Sequence, residues 1–207
     1  MSTIESITLE VNDPAAADRF YADAFGMTGQ VRTSRAEAPT SGFRGYTLSL
    51  VVAQPGNVRA LFDAAVAAGA AVLKPVAKSL WGVGGVVQAP DGAIWKFATS
   101  AKKDTAPISR AFERVVLLLG AEDVAASKRF YADHGFAVGK SLGSYVDFET
   151  PGSPIGLGLY KRRALAKDAG VPEEGGGSHR LVISSAGGAY TDPDGFAWAP
   201  AAQTAAA

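Results

Sequence analysis

Residues 4–11 (IESITLEV) set Ile7, Leu9 and Val11 on one side and Ser6, Thr8 and Glu10 on the other. This period-two pattern predicts a strand with one buried face. Asp13 and Pro14 then supply the cap and first position of a helix; Ala17, Phe20, Ala24 and Phe25 follow at helical spacing, and Gly26 ends it. Residues 45–53 predict a second strand. Asn57 is expected to cap a second helix, with Val58, Leu61, Phe62, Ala65 and Val66 as its apolar stripe and Gly69 as its stop. Segments 71–77, 82–88 and 93–99 read as strands, with Asp91-Gly92 as a hairpin turn. Further on come a strand at 114–119, a helix at 123–134, and strands at 137–141, 144–149 and 155–160. A helix over 160–169, a loop at 172–177 and a strand at 179–184 complete the pattern.

The pattern repeats. Asp18-Arg19-Phe20-Tyr21-Ala22-Asp23 returns as Lys128-Arg129-Phe130-Tyr131-Ala132-Asp133, each behind an apolar strand and an acidic helix start. Ala89-Pro90-Asp91-Gly92-Ala93-Ile94-Trp95 returns as Asp192-Pro193-Asp194-Gly195-Phe196-Ala197-Trp198. The chain thus reads as a duplication of residues 1–100 and 112–200, joined by a linker at 101–111 and ending in a disordered tail at 201–207. The last strand stands too close to Asp192 to leave room for a second helix in that half.

Composition removes several classes of function. There is no cysteine, so disulfides, cysteine zinc sites and cysteine nucleophiles are absent, and two histidines leave little for a histidine-rich metal centre. Basic and acidic residues balance at 20 each, and within each half at 8 and 8 or 12 and 12, so nucleic acid is not an expected partner. No apolar run suits a membrane span and the N-terminus lacks the pattern of a signal peptide; a soluble, cytoplasmic protein is expected.

A strand ending in Val-x-Asp, a helix carrying Arg-Phe-Tyr and a late Asp-Pro-Asp-Gly hairpin together resemble the vicinal oxygen chelate superfamily, which includes glyoxalases, bleomycin-resistance proteins and extradiol dioxygenases. The resemblance implies an α+β fold of repeated βαβββ modules forming two glyoxalase-like half-barrel domains, here with truncated first and last modules. Residues 35–44 stand where the first module should have more strands, and the last module lacks its helix. Metal-dependent members carry ligands on the first and last strands. The matching positions here are Ser6, Thr47 and Lys96 in one half and Val116, His179 and Ala199 in the other. One histidine among them does not make a divalent-ion site, and a lysine ammonium repels one. No metal and no other cofactor is therefore expected.

Strand parity then says what the cavities hold. In the first half Glu10, Thr47 and Lys96 point inward beside hydroxyls, where Glu10 and Lys96 either bind a polar group or form a plain ion pair. In the second half Val116, Leu118, His179, Leu181, Ile183 and Ala199 are expected to line an apolar pocket, with His179 as ligand contact or satisfied core residue. Trp81 stacks a ligand or plugs a barrel end; Trp95 and Trp198 fall on the helix-facing side. His134 ends a helix, and Lys161-Arg162-Arg163 reads as a solvated face or an anion grip. The expected ligand-binding residues are thus Glu10, Thr47, Trp81, Lys96 and His179. Three functions remain open: a metal-free protein sequestering a small aromatic or amphipathic molecule, an enzyme of the superfamily with a non-standard site, or an interaction protein with filled cavities. A small-molecule ligand and a possible homodimer are the expected partners.

Overall fold

The computed structural model describes residues 2–27 and 29–201, so the tail expected beyond residue 200 lies, apart from Ala201, outside the described residues. The elements in order are β1 (Ile4–Val11), α1 (Pro14–Phe25), β2 (Val31–Arg35), β3 (Thr40–Gly42), β4 (Tyr46–Val51), α2 (Pro55–Ala67), β5 (Ala71–Ser79), β6 (Gly82–Gln88) and β7 (Ile94–Thr99). They continue as β8 (Arg114–Ala121), α3 (Val124–Asp133), β9 (Ala137–Leu142), β10 (Tyr145–Glu149), β11 (Ile155–Lys161), α4 (Arg162–Ala169), β12 (Gly175–Gly177), β13 (Leu181–Ser185), β14 (Tyr190–Thr191) and β15 (Ala197–Pro200). The caps follow the residue chemistry: Asp13 accepts from the Ala16 amide, and Asp123 from Ala125 and Ala126.

Asn57 is not the cap of α2. That helix begins at Pro55 behind Gln54, and both amides are instead turned to the linker. Gln54 Oε1 accepts from the Thr105 and Ala106 amides, and Asn57 Oδ1 accepts from Ser109, so the linker is stitched across the start of α2.

Three modules are recognisable by a first strand lying parallel to a last one. They are β4 with β7, β8 with β11, and β13 with β15. The first module keeps only β2 beside β1, and β3 leaves the main sheet to pair with β12. The last module has no helix between β13 and β15.

First strands then pair antiparallel across the linker. β1 runs against β13, and β4 against β8. The result is one 13-stranded sheet, whose two parts are joined where Ile4 meets Ile155. Helices α1, α2 and α3 bury their stripes with Ile7, Leu9, Leu48, Leu50, Leu117 and Leu119 on one face of this sheet.

The repeated motifs lock that face. Tyr21 of the Arg-Phe-Tyr helix donates to Asp91 Oδ2 (2.5 Å), and Tyr131 donates to Asp192 Oδ2 (2.6 Å). Trp95 and Trp198 lie beside these tyrosines, with ring centroids 5.5 Å apart in both halves, and both are buried as parity predicts.

Candidate functional site

Because first strands pair across the linker, the six ligand-equivalent positions are re-sorted. Thr47, Lys96 and Val116 share the face of β4, β7 and β8 away from α1, α2 and α3, while Ser6 and Ala199 share the corresponding face of β1, β13 and β15. Glu10 and Lys96 do not share a cavity. Four inter-strand steps separate β1 from β7 along the sheet, and Lys96 lines the cleft beside β5 and β6 while Glu10 does not.

The partner of Lys96 is one that parity alone does not reveal. Lys96 Nζ donates to Asp168 Oδ2 at 2.6 Å, with 30% and 39% of the two side chains exposed. Asp168 belongs to α4, which lies on the sheet face opposite the other three helices. Leu165, Ala166 and Ala169 of α4 bury against Phe43, Val86 and Ile94, with Leu118 and Tyr160 packed beside them. Val86, Ile94 and Leu118 alternate with Val87, Trp95 and Leu117, which face the main core, so both sides of these strands are covered. Thr47 lies beneath this layer and is buried.

Both ends of α4 are held. Arg162 Nη2 donates to the Phe43 carbonyl at 2.9 Å, and its guanidinium stacks over the Phe43 ring at 5.2 Å. At the other end Lys74 Nζ donates to the carbonyls of Lys167 and Asp168, both at 2.7 Å, where a cation also suits the helix dipole. Between this end and the strands β5, β6 and β7 a cleft of about 400 Å3 remains. Its walls are Pro75, Ala77, Gly84, Gly85 and Val86 on the apolar side and Lys74, Lys78, Lys96 and Asp168 on the charged side.

His179 stands elsewhere. It precedes β13, and Arg180 between them adopts a left-handed backbone (φ 51°), rare for a residue with a side chain. That turn breaks the alternation, so Leu181 and Ile183 pair opposite Leu9 and Ile7 and enter the main core rather than a pocket. The expected apolar pocket of Val116, Leu118, His179, Leu181, Ile183 and Ala199 is therefore not assembled. His179 Nδ1 contacts the Arg44 carbonyl at 2.6 Å and Nε2 the Asp194 carbonyl at 3.1 Å, while the ring stacks on Phe196 at 4.0 Å. It borders a polar hollow of about 370 Å3 with Arg162, Glu122 and Gly175–Gly177.

Glu10 accepts a long bond from Ser178 Oγ at 3.4 Å. Trp81 is 88% exposed on the β5–β6 turn and does not line the cleft, although Ser79, two residues earlier, does. His134 ends α3, stacked on Phe130.

These side chains do not fit the divalent ion that the fold's metal-dependent members hold. Lys96 brings an ammonium already paired with a carboxylate, Val116 and Ala199 bring no donor, and both nitrogens of His179 face carbonyl oxygens. Among the described residues no three His, Asp or Glu side chains converge.

No model of a known protein family matches the sequence. No curated protein matches it either. Solved structures do. A glyoxalase I variant from Zea mays superposes with a TM-score of 0.61 at 13% identity, over 96% of this chain and 91% of that one. Unaltered glyoxalase I from Zea mays gives 0.57 at 12%, over 89% and 75%. A protein provisionally assigned as a dioxygenase from Bacillus subtilis gives 0.53 at 12%, over 93% and 71%. With its parallel first and last strands, its paired modules and these likenesses, the chain has the fold of the vicinal oxygen chelate superfamily.

Proposed function

We propose that the protein binds a small amphipathic molecule in the cleft between α4 and strands β5–β7, without a metal ion and without chemistry. The observation that carries this reading is the position of Lys96. It occupies the last-strand position that holds a metal ligand in metal-dependent members, and it opens onto a cleft of about 400 Å3, within the range typical of small-molecule sites. Pro75 and Ala77, above the buried Val86, offer an apolar wall and three lysines a cationic one.

The test is a thermal-shift screen of chelator-treated protein against aromatic and alkyl amphiphiles. Binding to the native state should raise the melting temperature in proportion to the logarithm of ligand concentration. A shift that appears only after a divalent ion is restored would overturn the metal-free part of the reading.

A second reading has its own support. Leu165 and its neighbours already fill the face above β4 and β8, as expected of an interaction protein with filled cavities. A screen with no response from any compound would favour it.

A further inference from the structure

The Lys96–Asp168 pair is an internal contact at the rim of a cleft, and it carries information about what the cleft accepts. Asp168 sits on the last turn of α4 and reaches Lys96 from outside the strands that carry the lysine. Its side chain is 39% exposed, so a carboxylate rotated off Lys96 would meet solvent and not a dry site. The cleft therefore presents a cation carried by a sheet strand, an anion reaching it from the helix above, and an apolar wall of Pro75 and Ala77 alongside. Lys74 and Lys78 add two more cationic groups to the same walls against the single acid Asp168, so the field at the mouth favours an incoming anion.

We propose that Asp168 is a stand-in for the ligand's own acid group, and that the ligand is an amphipathic carboxylate. Its carboxylate takes the place of Asp168 on Lys96 Nζ while its apolar body lies on Pro75 and Ala77. This rests on the cleft being the binding site, and it adds the chemical class of the ligand. Lys74 stays with the end of α4, because two of its three donors are held by the Lys167 and Asp168 carbonyls, which do not move with the Asp168 side chain.

The experiment is calorimetric titration of the full chain with matched pairs. 4-Phenylbutyrate is compared with 4-phenylbutyramide, and decanoate with decanamide, on wild type, Asp168→Asn and Lys96→Met. In wild type the carboxylate should bind about threefold tighter than its amide, because it must first displace Asp168. In Asp168→Asn the carboxylate should gain a further ~3–5-fold with the amide unchanged, as expected for losing a half-exposed ion pair as competitor. In Lys96→Met, where Asp168 is left without its ammonium and repels a second carboxylate, the preference for the acid over the amide should disappear. Asp168→Asn is a near-isosteric surface change, so it reports even if Lys96→Met folds poorly.

Equal binding of acid and amide in both wild type and Asp168→Asn would overturn this inference and leave the cleft standing as a binding site. Weaker carboxylate binding in Asp168→Asn than in wild type would also overturn it. Binding of neither compound of either pair to any variant would overturn the inference together with the reading of the cleft.

Discussion

Tyr131 and Tyr21 close the same hairpin in the two halves but onto different acids. In the first half the partner is Asp91, directly before the turn glycine. In the second half the residue at that place, Asp194, accepts from Ser127 Oγ at 2.6 Å and from the Glu122 amide at 2.8 Å, anchoring the start of α3. The bond from tyrosine then falls to Asp192, two residues earlier, which is 5% exposed and also accepts from the Asp194 and Phe196 amides. Removing a hydroxyl from so buried an acid leaves acceptor capacity unmet, which costs about 1–3 kcal/mol. Tyr131→Phe should lower stability by that amount in a urea melt, and by more than Tyr21→Phe, whose acid is only half-buried. Equal effects would show the two locks to be interchangeable. Tyr46 gives a second test. Burial, chiefly, pushes its hydroxyl from 10.0 up to about 12. Between those values the native chain holds a proton that the unfolded chain has lost, so stability falls as pH rises through that window and is untouched below it. The melting temperature of Tyr46→Phe should decline less steeply than that of wild type over pH 10 to 12.

At the scale of elements, helix α4 decides what the fold can do. Its eight residues cover the face of β4 and β8 where the fold otherwise opens, through Leu165 above all. Leu165→Ala should cost about 2–4 kcal/mol, the usual price of a large-to-small change at a fully buried site, and amide exchange should speed up in α4 while α1 and α2 keep their protection. Exchange that speeds up uniformly would show that α4 is not a separate layer. Helices α1 and α3 and most strands were legible in the sequence, because caps such as Asp13 and alternations such as Ile7-Thr8-Leu9 are local. The resting place of α4 was not: its stripe of Leu165, Ala166 and Ala169 suits any apolar surface. Nor was the path of His179, since nothing in the residue type announces a left-handed Arg180. The linker contacts of Asn57 were hidden by its ordinary suitability as a cap. Of the candidate site, Lys96 was visible through its position in the repeat, whereas Asp168 lies on an element outside the repeat and had no counterpart to align with.

At the scale of the molecule, the two halves are covalent repeats whose sheets are shared. β1 has β2 on one side and takes β13 from the other half as its second hydrogen-bonded neighbour, and β4, beside β7, takes β8. A fragment of residues 1–100 should therefore lack cooperative unfolding on its own, and should regain it when mixed with the rest of the chain; a fragment with sharp, independent melting would contradict the shared sheet. The outer strands carry features that oppose edge pairing, with Lys74, Pro75 and Lys78 on β5 and Lys140 on β9. Among the described residues no helix is long and apolar enough to cross a membrane. Metal-free binding of a small molecule beside α4 is the proposal on which the rest depends. The most direct test is amide and methyl chemical-shift mapping of chelator-treated protein titrated with 4-phenylbutyrate. Shifts should cluster at Ala77, Val86, Lys96 and Asp168, with none at His179; shifts centred on His179, or none until a divalent ion is added, would contradict metal-free binding in this cleft.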